Sequence, residues 1–236
     1  MEKKIDEVGI VHFRKSKKAK HVNITVKPFT DVVVSVPEGT SYQMAEKVLL
    51  QNAEWVKREQ AKMRSHESQY TSFEFGGSYQ FKDIEVDVIP SSSAGVKPSL
   101  KGDKLLVLVP HNADIQSPAV QEAIRAEIEE VIKLRAREVL PQLARILAKK
   151  HHVPVQKIYV RRALTRWGSC SPKNNLSLSY FLYLLPDHLI EYAILHELAH
   201  VKIKDHSKAY WLHLESMIPN AKQLDRAIKS REVGVI

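Results

Sequence analysis

Residues 196–200 read His-Glu-Leu-Ala-His. On an α-helix, residues four apart lie on one face, one turn above the other. His196 and His200 can then both present an imidazole to one divalent ion, and His–Zn bonds run about 2.0–2.1 Å. Glu197 sits one step round from the first imidazole. It is placed to reach a water on that ion without ligating it. This is the H-E-x-x-H spacing of a metal-dependent hydrolytic site, with Glu197 as catalytic base. The bland rival is a pair of hydrogen-bonded core histidines. The flanking residues favour the metal: Pro186-Asp187 is a good helix start, and Leu189 to Ile203 is mostly apolar. Two imidazoles and a carboxylate in a buried helix need partners, because an unsatisfied buried polar group is costly.

A third ligand must come from beyond that helix. His206 lies six residues after His200. Continuing the helix would carry it about 9 Å along the axis and onto another face. The polar run Lys202-Ile-Lys-Asp205 is where the helix can end, and Ser207 can cap the next one. His206 would then fold back towards the ion. Glu215, on that next helix, is the rival ligand, since His₃ and His₂Glu sites both exist. The spacing to His206 equals that of the metzincins, but residue 203 is Ile where that motif has Gly.

Other residues carry weaker signals. Arg166 and Trp167 begin the segment Arg166-Trp-Gly-Ser-Cys170, a candidate for substrate binding beside the metal helix. Trp167 packed in the core, with Arg166 paired to a carboxylate, is the competing reading. Tyr210 and His213 are candidate oxyanion donors, and packing is the competing reading for both. Ser169 and Cys170 are poor nucleophile candidates, because a metal-activated water already supplies one. The basic run Arg14 to Lys20 reads first as a solvated turn.

The elements that must position these residues change in character along the chain. Val8 to Phe13, His21 to Val26 and Asp31 to Val36 read as strands, and Ser41 opens a helix expected to reach about Met63. Phe73 to Phe75, Tyr79 to Phe81, Ile84 to Ile89 and Leu105 to Val109 read as a second set of strands, with a turn at Lys101-Gly-Asp103. From Ile115 to about Lys150 the pattern is one or two helices, with Pro141 as a point of kinking or division. Two strands follow, at Lys157 to Arg161 and Leu176 to Tyr180, then three helices. The expectation is an α+β protein, with a β-rich part over residues 1–110 carrying one helix and a helical part with a small sheet over 111–236. No internal repeat is visible.

Composition bounds the rest. The 236 residues carry 36 Lys and Arg against 27 Asp and Glu, a net charge of +9. A basic surface or a polyanionic partner such as nucleic acid both fit that balance. One cysteine excludes an intrachain disulfide and suits a reducing compartment. The N-terminus lacks an apolar leader segment, and no window reaches the roughly 18 apolar residues of a membrane span. A soluble, cytoplasmic protein is expected, of unspecified oligomeric state.

Taken together, Arg166-Trp-Gly-Ser-Cys-Ser171, Asn175-Leu-Ser-Leu178, His196-Glu-Leu-Ala-His200, Asp205-His-Ser-Lys208, Trp211 and Pro219 resemble the YgjP-like metallopeptidase family, a relative of SprT-like and WLM zinc peptidases. Arg14-Lys-Ser16, Ala19, Val36-Pro37 and Trp55 extend the likeness to the N-terminal part. The resemblance implies a zincin-like catalytic part preceded by a β-rich one. It implies Zn²⁺ held by residues matching His196, His200 and His206, with Glu197 as acid and base, acting on a peptide or protein substrate. Two rivals stand beside this reading. One is a nucleic-acid-associated protease of SprT-like type. The other is a non-catalytic, zinc-stabilised binding module.

Overall fold

A computed structural model describes residues 1–26, 31–67, 70–101, 104–234 and 236; Gly102 and Asp103, in the expected turn, lie outside the described residues. The fold is α+β, with six α-helices and three small mixed sheets among the described residues. It divides into two compact units, Met1–Ser72 with Gln116–Glu122, and Phe73–Ile115 with Ala123–Ile236.

In the first unit, β1 (Glu2–Ile5), β2 (Gly9–Ser16), β3 (Asn23–Thr25) and β4 (Val32–Pro37) form a sheet ordered β1-β2-β4-β3. Val32, Val34 and Val36 alternate into a core with Val11 and Phe13, as a half-buried strand requires. The single helix expected from Ser41 to Met63 is two helices, α1 (Tyr42–Gln51) and α2 (Ala53–Glu67). The break is at Asn52, whose backbone leaves helical geometry at φ −108° and ψ 11°. Its side-chain amide donates to the Val48 carbonyl at 2.7 Å, a local bond that competes with helix continuation.

The second unit opens with β5 (Ser78–Phe81), β6 (Ile84–Ser91), β7 (Lys97–Lys101) and β8 (Lys104–Pro110), ordered β5-β6-β8-β7. Phe73 to Phe75 is not a strand; Phe73 instead buries its ring against Tyr79. This sheet repeats the scheme of the first. In each, the outer pairs are antiparallel and the central pair is parallel. Each central pair ends on a serine opposite a proline, Ser16 with Pro37 and Ser91 with Pro110. A helix follows each. The sequence hides this repeat because the two copies share little beyond Val34-Ser-Val36-Pro37 and Val107-Leu-Val109-Pro110.

The helical remainder is built on α3 (Pro118–Lys150), which runs unbroken through Pro141. Ile124, Ile128, Ile132, Ala136, Leu140 and Ala144 recur every four residues and are all fully buried. That unbroken apolar stripe holds the helix together across the missing N–H of Pro141. Next come β9 (Ile158–Arg161), β10 (Gly168–Cys170) and β11 (Leu176–Ser179) in a sheet ordered β10-β11-β9. A 3₁₀ turn, Tyr180–Leu184, leads to α4 (Asp187–Lys202), α5 (Lys208–Met217) and α6 (Ala221–Lys229). Among the described residues no helix is long and apolar enough to cross a membrane.

Candidate metal centre

Helix α4 sits in the core of the second unit, with Ile194, Leu195, Leu198 and Ala199 fully buried. It ends at Ile203, where the backbone turns extended at φ −129° and ψ 112°. Asp205 then accepts from the Ser207 amide at 3.1 Å, and Ser207 Oγ accepts from the Tyr210 amide at 3.4 Å, capping α5. This turn brings His206 back over α4. The His206 and His196 Nε2 atoms are 3.2 Å apart. Ligand atoms of His196, His200 and His206 all lie within 4.8 Å of one another.

Each helix imidazole is oriented through its other nitrogen. His200 Nδ1 donates to the Ile203 carbonyl at 3.0 Å. Tyr192 donates its hydroxyl to Asp225 at 3.1 Å, so it accepts from His196 Nδ1, 3.4 Å away. Both protons are therefore assigned to Nδ1, which leaves both Nε2 lone pairs facing the cluster. Burial, reinforced by the neighbouring imidazoles, holds His196 down to about pKa 4. Burial also lowers His200. Both rings are neutral at pH 7, the ligating form. Three lone-pair donors converging this closely fit a divalent cation better than they fit one another.

Glu197 packs against Gly168 of β10 and lines the same cavity as His196 and His206. Its pKa is pushed up to about 7 by burial, against the opposing pull of the Arg166 charge and a hydrogen bond from the Cys170 amide. Gly168 makes this approach possible. A Cβ at residue 168 would lie 2.7 Å from Glu197 Cγ and 2.8 Å from Oε1. The closeness needs a residue without a side chain, and spacing alone did not assign Gly168 this task.

A cavity of about 400 Å³ contains His196, Glu197 and His206. Arg166, Trp167 and Gly168 form one wall, and Tyr192, Trp211 and Asp225 contribute elsewhere. A larger groove of about 570 Å³, between the end of α3 and β9, holds none of these residues. Arg166 and Trp167 thus line the cavity. Tyr210 and His213 do not, and Tyr210 is fully buried with its hydroxyl donated to the His196 carbonyl at 3.2 Å. Its ring stacks on His200 at 4.6 Å. Tyr210 is a platform under the imidazoles, and the oxyanion reading of it is set aside for that reason. Glu215 is committed elsewhere, accepting from the Asn220 and Ala221 amides at 2.8 and 3.0 Å. Cys170 Sγ is outside the imidazole cluster, its thiol pKa raised by burial. Sequence reasoning missed Tyr192 and Asp225. Tyr192 carries a usable signal, being one helical turn before His196. Asp225 carries none, since only the fold brings α6 to α4.

Comparison with known proteins adds three findings. No curated protein matches the chain significantly. Two solved structures are similar at 20% identity, both metallopeptidase zymogens. Abylysin of Pyrococcus abyssi has a TM-score of 0.36, the likeness covering 42% of this chain and 100% of that one. Jannalysin of Methanocaldococcus jannaschii has a TM-score of 0.35, covering 39% and 94%. Residues 20–231 match the sequence profile of the YgjP-like metallopeptidase domain, which spans both units and every residue of the centre. The chain belongs to the YgjP-like metallopeptidases, a family of metal-dependent peptide hydrolases.

Proposed function

We propose that the chain is a cytoplasmic zinc metallopeptidase in which His196, His200 and His206 hold the metal and Glu197 is the acid and base. The observation that carries this reading is the converging imidazole trio beside a buried carboxyl, Glu197, that lines the same cavity as His196 and His206. When bound, zinc lowers the pKa of water to about 7 and polarises the scissile carbonyl. Glu197 takes a proton from the attacking water as its oxygen bonds to the carbonyl carbon. It then gives a proton to the leaving nitrogen as the C–N bond breaks. Gly168 holds the strand close enough for the Cys170 amide to steady the carboxylate. β10 is an edge strand, and Gly168 lines the cavity. An extended peptide can pair along that edge and present its carbonyl to the centre.

A structural zinc module does not account for Glu197. A purely structural site has no use for a buried carboxyl beside the metal, and it closes its fourth position with a protein ligand. The test is metal content and hydrolysis together. Zinc-reconstituted wild type should retain one zinc per chain and cleave an unfolded protein. His196→Ala and His206→Ala should lose both properties, while Glu215→Ala keeps its zinc. Full zinc retention by His196→Ala, or zinc loss confined to Glu215→Ala, would overturn the ligand set.

A further inference from the structure

A second groove adjoins the catalytic cavity. It lies between α5 and α6 and has a volume of about 470 Å³. Trp211 lines both spaces, with its ring centroid 6.4 Å from that of His206. A chain segment that leaves the cavity over Trp211 enters this groove. Its surface is partly apolar, since Leu212 stands beside Trp211 and is 64% exposed.

The two helices deliver three cations to it. Lys208 begins α5, and Lys222 and Arg226 lie four residues apart on one face of α6. All three are exposed. None makes an ion pair or side-chain hydrogen bond with any described residue. Lys229, one turn further along α6 and facing the catalytic cavity, is different: it pairs with Asp225 at 2.7 Å. Among the described residues Glu215 is the carboxylate lining the groove, and both its oxygens are taken by the Asn220 and Ala221 amides. Three cations against one carboxylate leave the groove a net positive charge directly beyond Trp211.

We propose that the α5–α6 groove is an extended substrate subsite that takes an acidic stretch of the peptide, on the side of the scissile bond that passes over Trp211. This rests on the reading of the adjoining cavity as a peptidase site. A peptide satisfies both features of the groove: aliphatic and carboxylate side chains alternate along it, against Leu212 and the three cations. The subsite would favour substrates with Asp or Glu a few residues from the cleaved bond, and the preference would weaken with salt.

The test uses full-length, zinc-loaded Glu197→Gln protein and fluorescently labelled peptides that differ in one segment, Asp/Glu-rich or Asn/Gln-rich. Exposed charge pairs are individually weak, so three together should give about tenfold tighter binding of the acidic peptide at low ionic strength. High salt should erase the difference. A Lys222→Glu, Arg226→Glu double variant with unchanged zinc content and melting temperature should abolish or invert it. Equal binding of the two peptides, or a preference that survives the double charge reversal, would overturn the proposal. So would binding of a single-stranded oligonucleotide through Lys222 and Arg226 with no gain for the acidic peptide. Failure of the peptidase reading looks different: wild type would bind the acidic peptide through these residues and hydrolyse none of the panel.

Discussion

The residue that most tightly constrains the chemistry is one with no side chain. Gly168 lets Glu197 lie against β10, and a methyl group there would overlap the carboxylate stem at 2.7 Å. Gly168→Ala is therefore expected to keep zinc and lose peptide hydrolysis, because the added methyl meets the Glu197 carboxylate and none of the three imidazoles. A Gly168→Ala enzyme with the wild-type rate would show that the close approach is incidental. Tyr192 makes the opposite prediction. It accepts from His196 and donates to Asp225, so in the proposed centre its part is to orient a ligand. Removing the partner of a ligating imidazole typically costs 10–100-fold in metal affinity. Tyr192→Phe should weaken zinc binding by about that factor in competition with a chelator. Unchanged affinity would remove Tyr192 from the account.

At the scale of elements, the centre depends on how α4 ends. Ile203 leaves the helix, Asp205 and Ser207 build the cap of α5, and His206 is carried between them. Losing a serine N-cap costs about 1 kcal/mol. In a chain of this size that corresponds to a melting temperature lower by about 2–4 °C. Ser207→Ala should show that drop together with faster zinc release, since the loosened turn is the one that holds His206. A lower melting temperature with unaltered zinc release would separate the cap from the centre. This junction was legible in the sequence: the polar run Lys202 to Asp205 and the serine after His206 mark a stop and a start. The convergence of His196 and His200 was legible for a related reason, because helical spacing alone puts them on one face. The contacts of Gly168 with Glu197 and of Asp225 with Tyr192 join elements 29 and 33 residues apart in the chain. No local periodicity encodes such pairs.

At the scale of the molecule, the two β-rich sheets share one strand order, yet the sequence reads as unrepeated. Strand order is set by which edges pair, and many alternating apolar sequences satisfy the same pairing. The break at Asn52 was not expected, and the continuity of α3 through Pro141 was left open, for a similar reason. Local preference argued one way in each, and a side-chain bond or a buried stripe decided it. The centre itself lies within the second unit, among β10, α4, α5 and α6. The central claim is that the imidazoles hold the metal and Glu197 moves the proton. Glu197→Gln keeps the side chain's shape and removes its basicity. Proton transfer by a placed carboxylate contributes about 10²–10⁴-fold in rate. The decisive measurement is the hydrolysis rate of zinc-reconstituted Glu197→Gln beside its zinc stoichiometry. The account predicts full zinc occupancy with hydrolysis reduced by at least about 10²-fold. Wild-type hydrolysis by the variant, or loss of its zinc, would contradict it.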